Sequence, residues 1–139
     1  MRATPIRSLT PWLAAVVALA LAACATEEKK VDPNLFPTNY KAEILLTIQR
    51  VVIDPTNIRG AFITDPILDP NGPIKRYYVC VRADSRGYNR EYTGSKDRIA
   101  YFFGGQLSQL VDATPEQCGK APYKPFPELE KLCQASKCA

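Results

Sequence analysis

Between Tyr40 and Ile53 the hydrophobic positions recur at the spacing of an α-helix. Wound as a helix, they occupy an arc of about 100–120°, with polar residues opposite them. These apolar positions are Ile44, Leu45, Ile48, Val51 and Val52. The β-branched residues among them favour a strand instead. Because strict alternation fails at Leu45-Leu46, we predict a helix that ends at Asp54-Pro55-Thr56.

Beyond Gly60 the pattern changes to short apolar runs separated by turn residues. Residues 61–64 begin a strand that Pro66 confines to a sheet edge, because proline cannot donate to a ladder. Residues 76–82 show the most regular alternation of the chain, in which Tyr77, Val79 and Val81 alternate with Tyr78, Cys80 and Arg82. Both runs are typical of antiparallel strands.

Gly104-Gly105 separates two further runs, residues 99–103 and 106–111. Two glycines between alternating segments predict a β-hairpin with a two-residue turn. The register of that hairpin predicts two cross-strand pairs, Phe102 with Leu107 and Ile99 with Leu110. Together the segments predict an α+β fold in two layers. One amphipathic helix packs on an antiparallel sheet of three to four strands, followed by an irregular, disulfide-tied C-terminal tail.

Residues 1–23 have the three parts of a secretory signal peptide. Arg2 and Arg7 precede an uncharged apolar run, residues 12–21, which is shorter than the roughly 20 residues that a membrane-spanning helix needs. The run ends in Leu21-Ala22-Ala23-Cys24, which resembles the lipobox of bacterial lipoproteins. An ordinary signal peptide that leaves Cys24 unmodified is the alternative.

The resemblance implies that Cys24 becomes the N-terminus and carries a thioether-linked diacylglycerol, usually with a further acyl chain on its amine. Two or three chains hold a protein at a bilayer, whereas one anchors it only marginally. Ala25 in place of Asp resembles the pattern of lipoproteins sorted to the outer membrane. Residues 24–37 are then the lipidated cysteine and a polar tether, and residues 38–139 form one small domain that faces the periplasm.

Four cysteines remain besides Cys24, and an even number in an exported chain favours two disulfides. They are Cys80, Cys118, Cys133 and Cys138. Three pairings are open. A local ring between the last two would leave Cys80 and Cys118 to join a central strand to the segment after the last strand. The alternative is a metal site of four thiolates, but paired C-x-x-C spacings are missing, so we expect neither a metal nor a cofactor.

The chain has no histidine, which excludes a histidine-dependent catalytic triad and a histidine-ligated metal. No G-x-S-x-G sequence, glycine-rich phosphate loop or H-E-x-x-H sequence is present. The composition is that of an ordinary globular domain, with 23% charged residues and a net charge of +4. We therefore expect a non-enzymatic protein.

The segment 75–98 contains seven cationic residues against three carboxylates, with four tyrosines between them. Guanidinium groups suit phosphates and carboxylates, and tyrosines add flat contact area. The candidate ligand contacts are Arg82, Arg86, Arg90 and Arg98. The alternative is a solvated hairpin whose charges keep a sheet edge from pairing with other chains.

Three functions are compatible with these features. The first is a structural or interaction accessory of an envelope assembly, held at its membrane by a short tether. The second is a binding module for an anionic envelope component, which means a phospholipid headgroup, lipopolysaccharide or peptidoglycan. The third is an inhibitor of cell-wall hydrolases, because some lysozyme inhibitors are similarly compact disulfide-containing lipoproteins. With an export signal, nucleic acid is not expected as a partner.

Overall fold

Tyr40–Val51 forms the helix α1 in the computed structural model, which describes residues 29–134 and Cys138. The helix predicted from the apolar spacing is confirmed, although it ends before Ile53. Val52 has an extended backbone, with φ −83° and ψ 136°, while its N–H still donates to the carbonyl of Ile48 at 3.0 Å. Ile44 and Ile48 are completely or almost completely buried, so the apolar side of the helix packs against the sheet.

Within the described residues, the sheet under α1 has six antiparallel strands. They are β1 (Asp54–Ile63), β2 (Ile67–Asp69), β3 (Arg76–Arg86), β4 (Tyr92–Phe103), β5 (Gln106–Asp112) and β6 (Lys124–Pro125). The strand order is β5-β4-β3-β1-β6, and β2 pairs with β3. The α+β class is confirmed, whereas the predicted three to four strands are too few.

Two of the additional strands are β2, which continues along β3 after a break that follows β1, and β6, a short C-terminal strand that pairs with β1. β1 and β2 both pair with β3, and Pro66 lies in the break between them. Thr64 bridges the break: its N–H donates to the carbonyl of Cys80, and its hydroxyl accepts from the N–H of Cys80, both at 3.0 Å. Because these groups satisfy each other, Thr64 is fully buried without an unpaired polar atom.

β3 and β4 extend well beyond the predicted runs, residues 76–82 and 99–103. Their extensions are polar and pair across the ladder, as Arg82 does with Asp97 and Asp84 with Ser95. Alternation of hydrophobic residues does not detect strands held by polar cross-strand pairs. The basic segment 75–98 is therefore largely one long hairpin.

The Gly104-Gly105 turn between β4 and β5 is confirmed, with φ of +59° and +78° at the two glycines. Phe102 has the cross-strand partner that was predicted for it. The predicted pair of Ile99 with Leu110 is wrong, because a β-bulge beside Phe102 shifts the register by one residue. Leu110 pairs with Ala100 instead, which places it on the α1 side of the sheet.

As far as Gln134, the C-terminal tail passes around the β1 edge of the sheet. Cys118, at the end of the short helix α2 (Pro115–Cys118), forms a disulfide with Cys80 on the side away from α1, which we call the disulfide face. β6 then pairs with β1, and the short helix α3 (Pro127–Glu130) buries Leu129 in the core on the α1 side. A second disulfide joins Cys133 to Cys138. The tail is disulfide-tied as expected, but it contains two helices and a strand.

Candidate functional site

Arg82 is the most extensively paired of the four candidate arginines. Its Nε and Nη2 donate to the two carboxylate oxygens of Asp97 at 2.6 and 2.9 Å, and its guanidinium carbon lies 4.3 Å from the ring centroid of Tyr123. The hydrogen bonds from Arg82 hold the pKa of Asp97 below its ordinary value. Burial, reinforced by the charge of Asp97, raises the pKa of Tyr123. The guanidinium of Arg82 is thus occupied within the sheet.

Two further arginines of the disulfide face are stacked on tyrosines. Arg59 donates to Asp84 at 3.0 Å, and its guanidinium carbon lies 3.6 Å from the ring centroid of Tyr92. Arg76 lies in the same way over Tyr101, at 3.9 Å. Such contacts combine cation–π attraction with burial of the side-chain stem. The arginines of the disulfide face are consequently paired with carboxylates or aromatic rings of the same face. The carboxylates neutralise most of its positive charge.

Arg98 lies on the other side of the sheet, near the C-terminal end of α1. Its Nε is 3.5 Å from Oδ1 of Asp112, and it lines a small groove of about 100 Å³ together with Val52 and Lys96. Cations at this position complement the partial negative charge of a helix C-terminus. This placement gives Arg98 a structural role that needs no ligand.

A larger open cleft, about 580 Å³ in volume, lies at the tip of the β3–β4 hairpin. We call it the hairpin-tip cleft. The start of β1 forms one wall with Asp54 and Thr56, and the end of β3 with the turn after it forms the other, with Arg86, Tyr88 and Arg90. Residues 54 and 86 are direct cross-strand partners, so the β1–β3 register brings the two walls together.

A polar network forms the floor of the hairpin-tip cleft, and the buried Nε of Arg86 has no hydrogen-bond partner in it. Arg86 lies with its Nε 3.1 Å from Oδ2 of Asp54, and its Nη2 donates to the hydroxyl of Thr56 at 2.7 Å. Both the hydroxyl and the N–H of Thr56 donate to Oδ1 of Asp54. These hydrogen bonds, followed by the charges of Arg86 and Arg90, lower the pKa of Asp54. Asp54 therefore stays ionised and neutralises one of the two cleft arginines.

Arg90 provides the second positive charge of the cleft, and none of the described carboxylates forms an ion pair with it. It is exposed and has a φ of +62°, a conformation that costs an L-residue with a Cβ about 1–2 kcal/mol. Gly87 fixes this turn, because its carbonyl accepts from the N–H of Arg90 at 3.0 Å and its own N–H donates to the carbonyl of Glu91 at 2.9 Å. Tyr88, beside it, is 90% exposed.

Of the four arginines named from the sequence, the structure brings Arg86 and Arg90 into one cleft and places Arg82 and Arg98 elsewhere. Sequence reasoning missed Asp54 and Thr56, which were interpreted only as the residues that end the helix. The D-x-T spacing was the available signal, since an Asp side chain readily accepts from the N–H two residues later. Nothing local to residues 54–56 shows that they face Arg86.

The described residues hold no group of three or more His, Cys, Asp or Glu side chains that could bind a metal ion. None of the helices among them has the length and apolar character that spanning a membrane requires. Cys24 and its lipobox-like sequence lie outside the described residues. No family model, curated protein or solved structure matches the chain.

Proposed function

We propose that this chain is a lipid-anchored, non-enzymatic envelope protein that acts as an interaction accessory facing the periplasm, with the hairpin-tip cleft as its binding site for an anionic group. The observation that carries the proposal is the charge of Arg90. It is exposed, unpaired among the described residues and held in an unfavourable backbone conformation beside the exposed ring of Tyr88. Backbone strain of this kind persists where surrounding contacts over-determine it, and it is enriched at binding sites.

The position of the cleft favours a ligand remote from the anchoring membrane. The N-terminal segment reaches the domain at the Gly104-Gly105 turn, where β4 ends, and the hairpin-tip cleft lies where β4 begins. β3 has 11 residues, so the two ends of the sheet are about 33 Å apart. A ligand of the far end is therefore better sought in the cell wall than among the headgroups of the same leaflet.

Among the anions of the envelope, this geometry favours the carboxylates of peptidoglycan peptides. One guanidinium binds one carboxylate through two parallel hydrogen bonds, and Arg90 offers one such fork. Asp54 already neutralises the charge of Arg86, so the cleft carries a single net positive charge rather than the several that a phosphate-rich surface would engage.

Co-sedimentation of the mature protein with isolated peptidoglycan tests the cleft. Arg90→Glu removes the fork and adds repulsion, so binding should weaken at least about tenfold, which is the loss expected for a charge-assisted contact. Lys120→Glu is the matched control, because it makes the same charge change at an exposed site outside the cleft. Equal binding by the two variants, or no binding by the unaltered protein, would show that the cleft is not the site.

The anchor is tested separately, at Cys24. The mature protein should carry acyl chains on that residue, detected by mass spectrometry of its N-terminal peptide, and should fractionate with the outer membrane. Cys24→Ser should abolish acylation while leaving the disulfides intact. An unmodified N-terminus in the native protein would refute the anchor and leave the cleft to be judged by the peptidoglycan experiment alone.

A further inference from the structure

The segment that precedes α1 packs on the end of the sheet and leaves apolar side chains exposed there. Cγ1 of Val31 occupies the position that a Cβ on Gly104 would need, and Cδ2 of Leu35 lies 3.2 Å from the Cβ position of Gly105. The ring of Phe36 meets that of Tyr77 edge-on at a centroid distance of 5.3 Å. Residues 31–36 thus cover the end of the sheet at the Gly104-Gly105 turn, and their own outer side chains form the new surface there.

Four side chains at this end remain about half exposed. Val31, Leu35, Phe36 and Phe103 are 57%, 55%, 48% and 45% exposed, respectively. We call this set the apolar end. Pro37, the next residue along the chain, is buried and fixes the segment in place. Exposed apolar groups that are clustered mark a contact surface more often than scattered ones do.

The position of the apolar end along the chain indicates what covers it. Six residues lie between Cys24 and Val31, so the seven steps from one Cα to the other span about 25 Å at full extension. If Cys24 carries acyl chains in a bilayer, the apolar end can never be far from that bilayer, and its effective concentration there is high. The hairpin-tip cleft, at the opposite end of the sheet, does not share this proximity.

We propose that the apolar end inserts into the boundary between headgroups and acyl chains of the phospholipid bilayer in which Cys24 is anchored. The inference rests on the proposed lipid anchor. It adds a second, polypeptide contact with the membrane, and this contact fixes the orientation of the domain with the hairpin-tip cleft pointing away from the lipid. At the boundary between headgroups and acyl chains, the phenylalanine side chains contact lipid instead of water. The neighbouring Tyr77 is amphipathic and is suited to this interface.

The attraction at the apolar end is mainly apolar, although Arg76 begins β3 at this end, beside Tyr77. In the sequence, Lys29 and Lys30 directly follow Glu27 and Glu28, so these four charges cancel. Asp32 adds a carboxylate that accepts from the N–H of Asn34 at 2.9 Å. Docking should therefore resist salt, in contrast to the binding of an anion by the hairpin-tip cleft.

Tryptophan fluorescence in proteoliposomes tests this orientation, because Trp12 is the only tryptophan of the chain and lies in the predicted signal peptide. The native lipidated protein is prepared as Phe103→Trp, with Phe36→Trp as a second reporter and Tyr88→Trp as the matched control at the other end. In phospholipid vesicles, brominated acyl chains should quench position 103 and position 36 strongly, at low and high salt alike. Position 88 should keep its emission.

Each other result overturns the docking. Equal, weak quenching at positions 103 and 88 would show a domain that moves freely on its tether. A blue-shifted but unquenched tryptophan at position 103 would show that a second copy of the chain covers the apolar end. In both results, vesicles that still float with the protein attached show that the lipid anchor itself is sound. Absence of acyl chains on Cys24 instead refutes the proposed lipid anchor on which this inference rests.

Discussion

At the scale of single residues, the arginines of the β3–β4 hairpin are chemically identical and differ only in the groups that surround them. Arg82 has a bidentate carboxylate partner and an aromatic ring, whereas Arg90 has neither among the described residues. Removing one partner of a paired, partly buried arginine destabilises the fold, whereas an exposed unpaired arginine is available to a ligand. These two residues should therefore respond oppositely to substitution.

Asp97→Asn should destabilise the fold in a way that depends on pH. The substitution leaves the partly buried guanidinium of Arg82 without its counter-ion, and we expect a loss of about 1–3 kcal/mol at pH 7. The pKa of Asp97 is lowered in the folded state, so its stabilisation is present above the unfolded pKa of about 3.9 and lost as the pH falls through the folded pKa. Urea unfolding at pH 7 and pH 3 measures this, and a pH-independent gap between the two proteins would contradict it.

Arg90→Gly should stabilise the fold while it weakens anion binding. Glycine adopts a positive φ without steric cost, so relief of strain at φ +62° should raise the free energy of unfolding by about 0.5–1 kcal/mol. Arg90→Ala is the matched control, because it removes the guanidinium but keeps the Cβ. Thermal unfolding should show that Arg90→Gly is more stable than Arg90→Ala. Both variants should bind peptidoglycan with the same weakened affinity. A stabilised Arg90→Ala would show that the side chain, not the backbone, is the source of strain.

At the scale of elements, patterns confined to neighbouring residues were predictable. The helix α1 and the Gly104-Gly105 turn follow from periodicity and from glycines with positive φ. The polar halves of β3 and β4 were not predictable, because cross-strand ion pairs have no hydrophobic period. The hairpin-tip cleft depends on Thr56 meeting Arg86, two residues 30 positions apart, and no local pattern encodes such a register.

The Gly104-Gly105 turn offers a test of how firmly the N-terminal segment packs. Gly104 and Gly60 share a φ of +59°, but a Cβ at Gly60 meets open space, whereas one at Gly104 collides with the side chain of Val31. Gly60→Ala should therefore cost only the backbone strain, about 1–2 kcal/mol. Gly104→Ala should cost more, and Val31→Ala should recover part of the excess in a double-mutant cycle followed by chemical denaturation. Equal costs at the two glycines would mean that residues 31–36 do not hold this end of the sheet.

At the scale of the whole molecule, the two ends of the sheet differ in chemistry. The apolar end lies beside the N-terminal segment, and the charged hairpin-tip cleft lies about 33 Å away, at the far end of β3. A lipid anchor in this arrangement leaves the cleft exposed to the periplasm. This division of roles requires a stiff sheet, because bending of the sheet between its two ends would lose the orientation.

The disulfide between Cys80 and Cys118 can be removed without changing a residue at either end of the sheet. It closes a loop of 38 residues and holds the C-terminal tail on the disulfide face, whereas the disulfide between Cys133 and Cys138 closes only five. Loop-closure entropy gives about 4 kcal/mol for the first bond and about 2 kcal/mol for the second. Double replacement by alanine should therefore lower the free energy of unfolding about twice as much for the first pair, measured by urea titration. If the two losses are equal, the tail is held to the sheet by Phe126 and Leu129 rather than by the covalent link, since both side chains are completely buried.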